Sequence, residues 1–195
     1  MNRMLASTAL ALTALIGLVL PSLAQNNDYA AALTALANSK LREIAQNPAL
    51  ISAIMAQNQQ TMGFDAAKVD TADKQWRAEV DAADKPLINA TLGTDASKFL
   101  IKAQEDSVGL FTEIFATDAL GLNVAQSTVT SDYWQGDEDK FTKTFAVGAD
   151  AVFLGEVEQD ESTQTFQSQV SITITDPASG QPIGSITAGV DLSKL

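Results

Sequence analysis

Neither cysteine nor histidine occurs anywhere in the 195 residues. Without cysteine there is no disulfide framework, so the fold must rest on a hydrophobic core. Without histidine, a Ser-His-Asp triad, a Cys-His pair, a structural zinc site and a histidine-ligated haem are all excluded. Positive charge is scarce as well: 12 Lys and Arg stand against 24 Asp and Glu, for a net charge of -12. That balance repels nucleic acid and anionic membrane; it serves solubility and gives a field that favours cationic ligands. Carboxylate chemistry survives these absences. However, no Gly-x-Ser-x-Gly elbow occurs, and nothing sets two carboxylates opposite each other as glycoside hydrolysis requires. No reaction class can be given named residues, so the sequence reads as non-enzymatic, with no cofactor and no metal.

Long apolar runs are nearly absent too. A basic start at Arg3 leads into an uncharged stretch from Met4 to Leu23 with an apolar centre from Leu10 to Leu20. That centre is short for a membrane span of about 20 residues. Pro21 breaks it, and Ser22-Leu23-Ala24 supplies small residues at a cleavage position. The pattern predicts a secretory signal peptide over 1–24 and a mature chain from Gln25, periplasmic or secreted. No later run is long enough to cross a membrane, so residues 25–195 read as one exported domain.

The first part of that domain, 25–106, has helical periodicity. Leu33, Leu36, Ala37, Leu41 and Ile44 form one stripe, which can pack on the chain's own sheet or on a second copy. Asn47-Pro48 opens a helix with Leu50, Ile51, Ile54 and Met55 on one side, and a break is expected from Asn58 to Phe64. Residues 66–80 form a third helix on Val69, Trp76 and Val80, with Asp73 and Arg77 spaced as a surface pair. Pro86 opens a short element ending near Gly93, and Thr94 or Asp95 caps a helix carrying Ala96, Phe99, Leu100 and Ala103.

The character changes over 107–195. Strands are predicted at 111–117, 122–126, 151–158, 165–175 and 183–190, with a short helix at 137–146 and a bulge at Gly155. In 165–175, Phe166, Ser168, Val170, Ile172 and Ile174 alternate with Gln167, Gln169, Ser171 and Thr173, predicting one buried and one wet face. Helices first and an antiparallel sheet second make an α+β fold.

Between the second and third strands lies Thr130-Ser131-Asp132-Tyr133-Trp134-Gln135-Gly136-Asp137-Glu138. A solvated loop has no use for adjacent Tyr and Trp, so these rings either plug a core or wall a pocket. Trp134 can stack on a cation or planar ligand, Tyr133 and Gln135 can hydrogen-bond, and Asp132 and Asp137 favour an amine or metal ion. Asp137 can equally be the N-cap of the following helix, with Lys140 on its surface. Asp137, Glu138 and Asp139 are consecutive rather than alternating as a calcium loop requires. Glu156, Glu158, Asp160 and Glu161 read as a solvated acidic face.

The order strand, turn, strand, aromatic loop, helix and three antiparallel strands resembles the PAS-like sensor fold of bacterial Cache (PDC) domains. The likeness is carried by Ile114-Phe115-Ala116-Thr117-Asp118-Ala119-Leu120-Gly121, Asp132 to Glu138, Gly155-Glu156-Val157, Ser168 to Thr175, and Ile183 to Asp191. It covers roughly 99–195, and the helices before it fit the family's N-terminal helical region. The resemblance implies a single Cache domain with a five-stranded sheet that binds a small polar molecule and works with a membrane sensor kinase or chemoreceptor. It also implies a possible homodimer through the N-terminal helices. Family members place aromatic and basic groups of the loop on a ligand carboxylate and an acid near the last strand on its amine. Tyr133 and Trp134 match the former and Asp191 the latter, while Ser131, Asp132 and Tyr133 stand where the family's Arg precedes the Trp. Lys140 is the nearest cation. The expected ligand residues are therefore Tyr133, Trp134, Gln135, Asp132, Asp137 and Asp191. The alternative is a ligand-free interaction or scaffold protein.

Overall fold

A computed structural model describes residues 29–159 and 165–195. The expected signal peptide at 1–24 and the acids Asp160 and Glu161 lie outside the described residues. The first helix runs as α1 (Ala30–Leu36), a π-helical turn (Ala37–Leu41) and α2 (Arg42–Ala45). The π-turn keeps Leu33, Ala37 and Leu41, all fully buried, within one core. The Asn47 side chain accepts from the N–H groups of Ala49 and Leu50 and starts α3 (Pro48–Thr61) with Pro48 in its first turn. This is the proline position that removes a donor the helix could not use.

Asp65 caps α4 (Ala66–Val80), and Thr94 caps α6 (Asp95–Asp106). α5 (Pro86–Leu92) has no cap of its own side chain. Glu79 of α4 supplies one, accepting from the N–H groups of Leu87 and Ile88 at 2.8 and 2.9 Å. α3 continues to Thr61, four residues into the expected break, because Gln57, Asn58 and Thr61 face polar partners on the sheet and on the turn after its first strand.

The strands are β1 (Phe111–Thr117), β2 (Asn123–Gln126), β3 (Val152–Leu154), β4 (Glu158–Gln159), β5 (Phe166–Thr175) and β6 (Pro182–Asp191). The antiparallel order is β2-β1-β6-β5-β3, with β4 also on β5. This is the α+β, PAS-like arrangement, a five-strand path with a sixth short strand attached. The expected strand 151–158 is split at Gly155, whose N–H donates to Gln169 at 2.7 Å. The expected helix 137–146 is reduced to α7 (Asp139–Thr142). Its N-cap is Glu138 rather than Asp137, and Asp137 is exposed.

One face of the sheet, with Ile114, Ala116, Val170, Ile172, Ile186 and Ala188, packs on the stripe of the first helix, α3 and α6. The stripe thus packs on its own sheet. The other face is not wet, because 129–148 folds across it. Ser171 is fully buried against Thr187, with hydroxyls 2.9 Å apart, and the Thr173 hydroxyl donates to the Gly148 carbonyl. A sequence of alternating polar residues therefore hides a second interior, in which each hydroxyl finds a partner. A separate apolar cluster joins Val69, Trp76, Ile88, Leu122 and Tyr133 under α4 and α5.

Neighbours on α3 give a clean test of this packing. Ile54 is fully buried whereas Met55 is 43% exposed. Ile54→Ala is expected to cost ~2–5 kcal/mol in urea unfolding, and Met55→Ala within about 0.5 kcal/mol of zero.

Candidate functional site

The turn after β1 is organised by a fully buried carboxylate. Asp118 Oδ1 accepts from the N–H groups of Leu120 and Leu122 at 2.9 Å. Its Oδ2 accepts from the Thr61 hydroxyl at 2.9 Å and the Gln57 amide at 3.2 Å. Gly121 has φ +83°, and a Cβ there would lie 2.5 Å from Gly136 Cα. Glycine at this turn lets the aromatic loop lie against it backbone to backbone. The contact is a short ladder: Gln135 N–H donates to Gly121 O and Asn123 N–H to Tyr133 O, flanking a bridge between Leu122 and Trp134. Across Gly136 the Trp134 indole donates to Leu120 O at 2.9 Å.

The loop is also held from α4. Asp73 Oδ1 accepts from the N–H groups of Tyr133 and Trp134 at 2.9 and 3.0 Å, and its Oδ2 pairs with Arg77 at 2.6 Å. Arg77 reaches on to Asp132 at 3.1 Å. The expected surface pair is therefore a clamp on the loop. Burial pushes the Asp73 carboxyl up, but Arg77 and the two N–H donors outweigh it and hold the group below its ordinary range.

These contacts separate the six residues expected at the ligand. Tyr133 is buried in the α4–α5 cluster, its ring stacked on Trp76 at 5.2 Å. Burial, and then the charge of Asp118, push its hydroxyl up to about 12 against an opposing hydrogen bond with Gln57. Trp134 and Asp137 border an outward-facing hollow of about 450 Å³ shared with Phe64, Val69 and Asp73. Asp191 accepts from Ser193 N–H and caps the closing turn Leu192–Lys194. Asp132 and Gln135 meet at a different place, a cleft between the loop and the second face of the sheet.

That cleft has two lobes, of about 170 and 300 Å³, that share Glu113, Lys140 and Gln169. Phe115, Thr130, Asp132 and Gln135 line the smaller, and Glu138, Gly155, Gln167 and Gly189 are among those lining the larger. Gln169 Nε2 donates to Glu113 Oε1 at 3.0 Å. Lys140 Nζ pairs with Glu138 at 3.0 Å and lies 5.3 Å from the centre of the Phe115 ring. Gln135 is 1% exposed; its Nε2 donates to the carbonyl and carboxylate of Asp132, and its Oε1 has no partner. Glu113, Phe115, Gln167 and Gln169 were not singled out as site residues from the sequence. Their strand alternation places them on one face, but only the covering loop turns that face into a cleft. Among the described residues no group of three or more acids is placed to hold a metal ion, and no helix is long and apolar enough to cross a membrane.

No family model matches the chain, and neither does any curated protein. Solved structures do. The V. cholerae histidine kinase DctB sensor domain aligns with TM-score 0.46 and 12% identity, over 84% of this chain and 54% of that one. The ligand-binding domain of the Pseudomonas aeruginosa amino acid chemoreceptor PctC, in complex with GABA, aligns with TM-score 0.40 and 17% identity, over 78% and 60%. The Campylobacter jejuni chemoreceptor Tlp3 sensory domain with isoleucine bound aligns with TM-score 0.37 and 11% identity, over 82% and 62%. The chain thus spans between 54% and 62% of the length of these three structures. The likeness is distant, and no residue of the cleft is assigned through it.

Two outcomes test the loop's anchoring. The depressed carboxyl of Asp73 stabilises the fold above the ordinary carboxylate range, and that contribution is lost as pH falls through its folded value. Asp73→Ala should therefore cost ~1–3 kcal/mol in urea unfolding at pH 7, with the gap to the parent protein narrowing below about pH 4. For Tyr133 the sign is opposite: its neutral form is favoured, so the stabilisation holds below about pH 10 and is lost as pH rises towards 12. Ultraviolet titration should show a tyrosine ionising near pH 12 that is absent in Tyr133→Phe.

Proposed function

We propose that this chain is a non-enzymatic, sensor-type domain of the Cache kind that takes a small polar molecule in the cleft between 129–140 and the sheet. Its function would be exercised outside the cytoplasm, in the periplasm or as a secreted protein, together with a membrane sensor kinase or chemoreceptor. Export rests on the pattern of residues 1–24.

The observation that carries the reading is Gln135. An amide oxygen that is buried and unpartnered costs about 1–3 kcal/mol, so folded proteins rarely keep one without a use for it. Gln135 lines a cleft together with charged, amide and hydroxyl side chains, Val129 and the Phe115 ring. Such a mixture orients a small polar ligand. Of the residues expected from the sequence, Gln135 and Asp132 are assigned to the ligand. Tyr133 and Trp134 are assigned to the loop's anchorage, with Asp137 and Asp191 outside the cleft.

A thermal-shift screen with amino acids, organic acids, amines and purines tests the proposal. Ligand at a hundredfold excess over Kd adds about 2.7 kcal/mol, which for a chain of this size raises Tm by roughly 5–10 °C. Gln135→Leu should abolish the shift while keeping the helical and sheet circular dichroism. Absence of any shift across the four classes would instead favour a ligand-free interaction protein.

A further inference from the structure

The cleft's chemistry is unbalanced in one direction, and the imbalance identifies a class of ligand. Glu113, Asp132, Glu138, Glu156 and Glu158 bring five carboxylates to its two lobes; Lys140 is the single cation among the residues that line them, and Arg77 of α4 pairs with Asp132. Five side-chain donor groups on its walls each have an acceptor within the chain. Gln169 Nε2 is given to Glu113, Gln135 Nε2 to Asp132, the Thr130 hydroxyl to Asp132 O, and the Ser168 hydroxyl to Gly155 O. Lys140 Nζ is given to Glu138. Among the described residues Asn123 Oδ1, Gln126 Nε2 and Gln135 Oε1 are buried without a partner, and of these only Gln135 Oε1, an acceptor in a residue 1% exposed, belongs to the lining of this cleft. N–H donors and positive charge on a ligand would complement this lining.

The aromatic lining agrees with that preference. The Phe115 ring is 2% exposed and bears a cation already, the ammonium of Lys140 5.3 Å from its centre. An aromatic face beside carboxylates is a setting that stabilises an ammonium or guanidinium group. Lys140 fills that place from within the chain, and its side chain is only 14% exposed. A bound cation would compete with it for Phe115 and Glu138.

We propose, on the reading of this cleft as the ligand site, that it selects an organic cation, an alkylamine or guanidine, over anions. The ligand's N–H groups meet Gln135 Oε1 and the Glu113 carboxylate. Lys140 is the internal cation it displaces, not an anchor for a ligand carboxylate.

Lys140→Met separates the two signs of ligand. Titration calorimetry at low ionic strength would compare putrescine and agmatine with succinate and L-glutamate, on the parent protein and on Lys140→Met, Gln135→Met and Glu113→Gln. The expected result is saturable binding of putrescine or agmatine that weakens with salt. Binding should weaken about tenfold or more in Gln135→Met and Glu113→Gln, and strengthen roughly threefold or more in Lys140→Met. Circular dichroism and urea midpoints establish that each variant is folded. If a variant fails to fold, the parent's ranking of cations over anions and its salt dependence decide the matter. Binding of succinate or glutamate that Lys140→Met removes would overturn the cation assignment and leave the cleft as the ligand site. Amine binding that is unchanged in both Gln135→Met and Glu113→Gln would place the cation elsewhere and overturn the assignment to this cleft. Silence from all four probes in every variant would overturn the cation assignment, and the wider four-class screen would then decide the cleft separately.

Discussion

Asp118 is the constraint on which the rest of the molecule is arranged. It has no exposed surface, and its two oxygens take two backbone N–H groups from its own turn and two side-chain donors from α3. A buried carboxylate is tolerated only when its lone pairs are met in this way. The arrangement fixes the β1–β2 turn against the helical layer at one end. It thereby fixes Gly121, against which the aromatic loop lies. Position of the loop in turn determines the cleft, because the loop is one of its two walls.

The loop therefore answers the question of plug or pocket in both ways, residue by residue. Tyr133 turns into the apolar cluster with Trp76 and closes it, Trp134 borders the outer hollow, and Gln135 lines the polar cleft with Lys140. Asp73 and Arg77 hold the junction between these two environments from α4. Arg77 is 54% exposed, so its ion pairs contribute little by charge alone. The two backbone N–H groups on Asp73 do more of the positioning.

Much of the fold was legible because it depends on periodicity and on local chain chemistry. The Asn47-Pro48 start, the Thr94 cap, the extent of α4 and the bounds of β1 follow from residues close in sequence. What was not legible depends on what covers a face. Ser171 and Thr173 carry the pattern of a wet strand face, and only the return of 129–148 over the sheet buries them. The candidate site was hidden for the same reason. Glu113, Gln167 and Gln169 are ordinary strand polar residues until the loop encloses them. Aromatic residues drew attention to the segment that walls the cleft, but their size suited them to packing, and the smaller Gln135 was left lining it.

The bridge between Leu122 and Trp134 also bears on how the sheet meets its surroundings. β2 is one border of the sheet, and the aromatic loop donates to and accepts from the turn and first residue of that border. At the opposite border β3 is three residues long and ends where Gly155 departs from regular pairing. Among the described residues, neither border offers a long flat row of free backbone groups. A strand from another polypeptide needs such a row as a template. The segment that shapes the cleft thus also guards the sheet against edge-to-edge stacking, so loosening the loop would raise the tendency of the protein to aggregate.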